Sequence, residues 1–212
     1  MPSFTTSEQP RDTLWGAPQH AAQLLPGIWE VHTASHGGMV LSDERQAAMP
    51  EALKLDGTSY EEDVDWALVV LAFTAEFAQL PGKGFDLLVE NARASVKAWH
   101  PDRYAAHTGE AVAAFDSPVL RRRQALTKKI GEYVVVSASG DWADWVPQGQ
   151  VGVVARRVAR VDALGHAAYE GDPIHGLIDK DAYDSSRIVN GFDEIGAVRI
   201  EANAPATKEV VL

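Results

Sequence analysis

The chain is predicted to adopt an α+β fold, with helices mostly in the N-terminal half packed against a mainly antiparallel sheet in the C-terminal half. Three observations predict it. Apolar residues recur at helical spacing across residues 64–130. Continuous or alternating β-branched runs follow, first Tyr133-Val134-Val135-Val136 and then residues 151–155. The two patterns occupy separate stretches of chain, which favours segregated helices and strands over a parallel βαβ arrangement.

Residues 1–12 are polar, contain Pro2 and Pro10, and are expected to form a flexible tail. Residues 13–131 then form a helix-rich part with a short hairpin, and residues 132–212 a β-rich part, the two making one compact domain. In the first part, a Pro26-Gly27 turn leads into an alternating strand over 28–33, and Met39-Val40-Leu41 supplies its partner. Ser42 is a suitable N-cap for a helix running to Met49 and closed by Pro50. Ser59 and Glu62 have the spacing of a capping box, which predicts a helix opening there and continuing through the apolar stretch 64–77. Phe85, Leu88, Val89, Ala92, Val96 and Trp99 form the stripe of a second helix that stops at His100-Pro101. A third has Ser117 as N-cap, Pro118 in its first turn and Gly131 as terminator.

The run 133–136 then reads as a strand covered on both faces. Gly140-Asp141-Trp142 and Pro147-Gln148-Gly149 bracket a polar loop before a strand over 151–155. A short helix is expected at 179–184, and strands at 197–200 and 210–212.

At 212 residues and 46% apolar composition the chain can bury a substantial core. The absence of cysteine excludes disulfides, thiolate metal sites and a cysteine nucleophile. No apolar run is long enough to span a bilayer and no basic, apolar leader opens the chain, so a soluble cytoplasmic protein without membrane contact is expected. The formal charge of −11 is unevenly spread: residues 1–116 hold 17 acidic and 7 basic side chains, the remainder 13 and 12. Such a front half is repelled by phosphates, so no direct nucleic-acid binding is expected, and it attracts basic protein surfaces.

The densest concentration of chemistry is Thr33-Ala34-Ser35-His36-Gly37-Gly38, a polar glycine loop at a strand end, followed by Tyr60-Glu61-Glu62-Asp63 and Asp65. His32 and His36 with Glu61 or Glu62 offer the nitrogen and oxygen donors of a divalent-metal site, in which a carboxylate could serve as base for hydrolysis. Their four-residue spacing converges only on a helix, so the spacing assigns neither a metal nor another cofactor, and a backbone-bonded turn histidine is the alternative. Ser35 and His36 are neighbours that extended chain points apart, so a nucleophilic serine would need a histidine from elsewhere, such as His100 or His175. Glu61 and Asp65, four apart on the expected helix, would repel each other on one face and thereby favour a cationic partner.

Arg121, Arg122, Arg123, Lys128 and Lys129 make a basic stretch that could meet phosphate, with an intramolecular or homodimer contact an equal alternative to nucleic acid. Trp142 and Trp145, in a turn-rich loop, are candidate partner anchors or a flap over the core. Pro81-Gly82-Lys83-Gly84 lacks the leading glycine and the following hydroxyl of a phosphate-binding loop.

Leu14-Trp15-Gly16, Pro26-Gly27-Ile28, Thr33-Ala34-Ser35-His36-Gly37-Gly38, Met49-Pro50 and Tyr60-Glu61-Glu62-Asp63 together resemble an uncharacterised family of phage, plasmid and integrative-element proteins. That family carries T-P-W-G, S-H-G-G, M-P and Y-E-E-D motifs in this order; here Leu14 replaces the proline. Ser139-Gly140-Asp141-Trp142, Val146-Pro147 and 149–153 are similar to its C-terminal half. The resemblance brings no catalytic residues. It implies a mobile-element accessory protein, and with the acidic front half it leads to the expectation of a non-enzymatic inhibitor of host defence, anti-CRISPR or anti-restriction. Such a protein would bind a basic protein or ribonucleoprotein through Glu61, Glu62, Asp63 and Asp65, with Trp142 or Trp145 as anchors.

Overall fold

The structure is a computed structural model that describes residues 4–81 and 83–201. The strand expected at 210–212 and the side chain of Phe85 lie outside the described residues. The chain is α+β, with helices in the N-terminal half, antiparallel sheets, and the larger sheet in the C-terminal half. It divides into two compact units, Met1–Pro118 and Val119–Leu212.

The first unit holds a four-stranded antiparallel sheet, β1 (His20–Leu25), β2 (Ile28–His32), β3 (Gly37–Leu41) and β4 (Ser59–Glu61), in sequential order. The short hairpin expected here is thus the centre of a full sheet, and the first two helices of this half pack on it. Gly27, at φ +77, makes the β1–β2 turn. Ser42 caps α1 (Asp43–Ala48), its hydroxyl accepting from the Arg45 amide, as its position before the helix predicts.

The capping box expected at Ser59 does not form. Residues 59–61 pair with β3 instead, Val40 opposite Ser59, Met39 opposite Tyr60 and Gly38 opposite Glu61. Tyr60 decides this. Its ring is fully buried, and its hydroxyl donates to Gln46 Oε1 at 2.9 Å and accepts from the Leu55 amide at 3.2 Å. Burying an aromatic ring with its polar tip satisfied outweighs about 1 kcal/mol of capping. The helix α2 (Trp66–Ala72) begins later, with no side-chain cap, and breaks at Phe73 before the single turn α3 (Thr74–Phe77).

Ala67, Leu68, Val69 and Val70 are fully buried, so α2 is the central helix, lying against β3, β4 and α4 (Lys83–Trp99). Ala92 and Val96 of the α4 stripe reach the same core, whereas Trp99, at its end, is half exposed. A further helix, α5 (Pro101–Thr108), continues beyond the expected stop with Pro101 at its first position and left-handed Gly109 closing it.

One cation is built into this core. Arg45 is fully buried; its guanidinium makes a bidentate pair with Glu76 at 2.7 and 2.8 Å and donates to Pro26 O at 2.7 Å. The rings of Phe4 and Phe73 lie 3.6 and 4.7 Å from it. Phe4 belongs to the segment expected as a loose tail. Residues 4–12 have no helix or strand, yet Thr5 donates to Glu44 and Trp29 Nε1 donates to Ser7 Oγ.

The second unit is built on α6 (Pro118–Thr127) and the antiparallel sheet β5 (Tyr133–Ser139), β6 (Gln150–Val161), β7 (Ala167–Asp179) and β8 (Val198–Ile200). A register shift between Ala155 and Arg157 moves the inward set from odd to even positions, so Val153, Ala155 and Val158 are all buried. Leu126 of α6 packs with Val134 and Val158. The expectation that 133–136 is covered on both faces fails at Val136, which is 42% exposed while Val134 is buried. The short helix expected at 179–184 reduces to one 3-10 turn, Lys180–Ala182, capped by the Asp179 carboxylate.

Candidate functional site: a histidine–carboxylate cluster at the β2–β3 turn

Three sequence motifs of the first unit, Leu14-Trp15-Gly16, the loop over 33–38 and the acidic run over 60–63, meet at one place. Thr13 and Gly16 bond reciprocally through their backbones at 3.1 Å, making a tight loop that carries Trp15. The Trp15 ring lies over Gly38, whose φ of +151 only glycine adopts readily; a Cβ there would be 2.7 Å from Trp15 Cη2 and closer still to the Tyr60 carbonyl. Gly38 is therefore where the tryptophan loop, the glycine pair and β4 touch.

The turn between β2 and β3 is closed by Thr33. Its amide donates to His36 O at 2.7 Å, its hydroxyl donates to the same carbonyl at 2.8 Å, and the His36 amide returns a bond to that hydroxyl at 3.2 Å. This fixes the backbone of His36 and leaves its ring exposed. Across the strand pair, the Glu62 amide donates to Gly37 O at 3.0 Å, bringing the acidic run alongside the loop.

The resulting side-chain arrangement joins both segments. His36 Nδ1 is 4.0 Å from Glu61 Oε1, and His32 Nδ1 is 4.0 Å from Glu62 Oε2. His36, Glu61 and Glu62 offer three ligand atoms all within 4.8 Å of one another. The other Glu61 oxygen accepts from the Asp63 amide at 2.7 Å, which orients that carboxylate. His20 stacks beside His32, ring centroids 6.2 Å apart. A cavity of about 240 Å³ adjoins the cluster, lined by Glu30, His32, Met39, Glu62, Trp66 and Leu88 among others.

Asp65 lies elsewhere. Glu61 is on a strand and Asp65 at the start of α2, so the same-face repulsion expected between them does not arise. His100 Nε2 approaches Asp65 Oδ1 at 3.0 Å, close enough for an ion pair when the ring is protonated but outside hydrogen-bond alignment. Ser35 is exposed, and neither histidine considered for it is engaged with it: His100 faces Asp65, and His175 meets the Trp145 ring edge-on at 5.8 Å.

The two tryptophans separate by role. Trp142 is 79% exposed. Trp145 is half-buried over Gly152, where any side chain would collide with its ring, so it covers its own sheet. The basic stretch is partly consumed locally: Arg123 bonds Ala163 O at 2.9 Å, and Lys129 pairs with Glu132 and Glu194. Those bonds raise the Lys129 pKa and, with Lys129 as the first cause, hold the Glu194 carboxyl below its ordinary range.

Sequence reasoning did not find Thr33 as the lock of the turn, nor Trp66 and Leu88 as cavity walls. Only the Thr33–His36 spacing carried a signal, that of a hydroxyl-bonded turn.

Fold and site together define an α+β protein whose first unit presents an exposed histidine–carboxylate cluster at a sheet edge. The chain belongs to a family described as a domain of unknown function, DUF7007, whose model matches residues 8–130. The match contains every residue of the cluster and ends before the Ser139–Val153 region. Neither the curated proteins nor the solved structures yield a match.

Proposed function

We propose that the protein is a stoichiometric binding protein whose first unit presents an acidic face to a cationic macromolecule. One observation carries this reading. None of Glu61, Glu62, Asp63 or Asp65 is paired with a lysine or arginine among the described residues; Glu61, Glu62 and Asp65 approach His36, His32 and His100 respectively. Their charge is therefore projected outward at neutral pH, from a unit with 17 acidic and 7 basic side chains. Complexes that guide or cut nucleic acid present cationic channels of complementary sign. Together with the resemblance to mobile-element proteins, this favours an inhibitor of a host-defence complex, anti-CRISPR or anti-restriction, acting in the host cytoplasm. Trp142, exposed in the second unit, is the aromatic anchor we assign, since Trp145 packs on its own sheet. Among the described residues no helix is long and apolar enough to cross a membrane.

The test is a capture experiment from cells carrying an active CRISPR or restriction complex, paired with phage plating on those cells. Expression should raise plating efficiency. The Glu61→Lys/Glu62→Lys/Asp65→Lys variant should lose both capture and protection, and capture should weaken steeply with salt. Capture that survives the three reversals removes this face from the interface.

A second reading, metal-assisted hydrolysis, is favoured by the convergence of His36, Glu61 and Glu62 beside a cavity. It requires turnover of an ester or phosphodiester that His36→Ala abolishes.

A further inference from the structure

We propose that His36, Glu61 and Glu62 bind one divalent transition-metal ion of the zinc class, with His32 as a fourth donor. The inference does not rest on the partner-binding reading, and it holds whether or not the ion is catalytic.

The argument begins with donor chemistry. Neutral imidazole nitrogen combined with carboxylate oxygen suits zinc and its neighbours, whereas magnesium and calcium take all-oxygen sets. Here two imidazoles and two carboxylates come from three separate chain segments: the end of β2, the turn, and β4 with the residue after it. Among the described residues, His36, Glu61 and Glu62 are the one group of three such side chains whose ligand atoms all lie within 4.8 Å.

Distances permit closure. Metal–ligand bonds of about 2.0–2.2 Å set neighbouring ligands roughly 3.3 Å apart around a tetrahedral ion. The two histidine–glutamate separations are each 4.0 Å and the ligand atoms of His36, Glu61 and Glu62 lie within 4.8 Å of one another, so closure shortens these separations by roughly 0.7–1.5 Å. All four side chains have room to make that movement, being partly or largely exposed.

A second observation comes from Gly37. A Cβ at this position would lie 2.5 Å from Glu62 Oε2, 2.8 Å from the Val31 carbonyl oxygen, which alone disfavours a side chain, and 3.0 Å from His32 Nδ1. The glycine thus leaves open the space into which a carboxylate oxygen and an imidazole nitrogen both point, although its backbone conformation does not itself require glycine. Support behind the donors is also present. The Asp63 amide holds one oxygen of Glu61 while the other faces His36, and Thr33 holds the His36 backbone.

The experiment titrates zinc chloride into the metal-stripped 212-residue chain at pH 7, with magnesium chloride in parallel, by calorimetry and by elemental analysis after dialysis. One equivalent of zinc should bind, with magnesium far weaker. His36→Ala and Glu61→Gln should each weaken zinc binding by about tenfold or more. His166→Ala should leave it unchanged, because His166 and Asp162 form an exposed pair of the same chemistry at 3.5 Å with no third donor grouped with them among the described residues. On the unaltered protein, zinc should shift the ring NMR signals of His32 and His36 and leave those of His107 and His166 in place, a readout independent of any variant's folding. Zinc binding that His36→Ala does not weaken, that magnesium matches, or that moves the wrong histidines overturns the proposal, as does no binding. Zinc bound without hydrolysis removes only the hydrolase reading. Failure of the unaltered chain to capture a partner, with zinc still bound, removes only the partner-binding reading.

Discussion

Replacing Gly38 with alanine tests whether the tryptophan loop, the glycine pair and β4 form one unit. Two costs add at this position. A φ of +151 lies in a region alanine adopts only with strain, about 1–3 kcal/mol. The new methyl would also sit 2.7 Å from Trp15 Cη2 and 3.0 Å from the Tyr60 carbonyl carbon, closer to its oxygen. The tryptophan can swing away, but the backbone of β4 is held by pairing on one side and by fully buried Tyr60, so relief requires overpacking of about 1–3 kcal/mol. The sum is about 2–6 kcal/mol. Gly109→Ala is the matched control: φ is +76 with nothing within 4 Å of the added methyl, leaving only left-handed strain of about 1–2 kcal/mol. Urea unfolding followed by tryptophan fluorescence measures both. Gly38→Ala should cost clearly more than Gly109→Ala, and in two-dimensional NMR it should displace the amides of residues 13–16, 36–38 and 60–62 together. Equal costs, or displacement confined to residues 37–39, would refute the reasoning.

Arg45→Ala should destabilise the first unit by about 3–5 kcal/mol, since it strands the Glu76 carboxylate, while the double change Arg45→Met/Glu76→Met should be far milder; thermal unfolding compares them. Trp145→Ala should cost about 2–3 kcal/mol, less than a fully buried tryptophan, and Trp142→Ala should stay within about 0.5 kcal/mol in the same assay. The Thr5 hydroxyl, then its amide, hold the Glu44 carboxyl below its ordinary value of 4.5. A lowered folded-state pKa means the tether is fully present above about pH 4.5 and is lost as pH falls through the lowered value. Thr5 amide exchange should therefore accelerate on acidification, and Glu44→Ala should make it fast at every pH. The Lys129–Glu194 bond follows the same linkage at both ends: its contribution disappears at acid pH as Glu194 protonates and at alkaline pH as Lys129 deprotonates. Glu194→Gln should accordingly differ from the unaltered chain near neutrality and match it at acid pH, while at alkaline pH a smaller difference persists because Arg187, 3.3 Å from Glu194, keeps its charge.

Much of the site was legible because its residues are chemically conspicuous. His36, Glu61 and Glu62 stand out as polar groups next to glycines and at the start of an apolar stretch. Their convergence was not legible, because the best local reading of Ser59 and Glu62 is a helix cap. Only the pairing of 59–61 with 38–40, driven by the burial of Tyr60, carries Glu61 to the face of His36. Arg45 and Phe4 make the same point: a lone arginine on a short amphipathic helix and a phenylalanine in a polar segment show no relation until Glu76 and Phe73 enclose them.

By itself the sequence determined the α+β class, the Ser42 cap, the Pro26-Gly27 turn and the charge imbalance. Each follows from neighbours within a few residues or from a sum over the chain. Tertiary structure alone decided that the N-terminal helices have their own sheet, that β4 is a strand, that Trp145 covers the protein while Trp142 faces solvent, and that two histidines and two glutamates share one turn. Those outcomes depend on contacts distant in sequence. There a buried ring or a paired strand edge releases more free energy than the local preference it overrides.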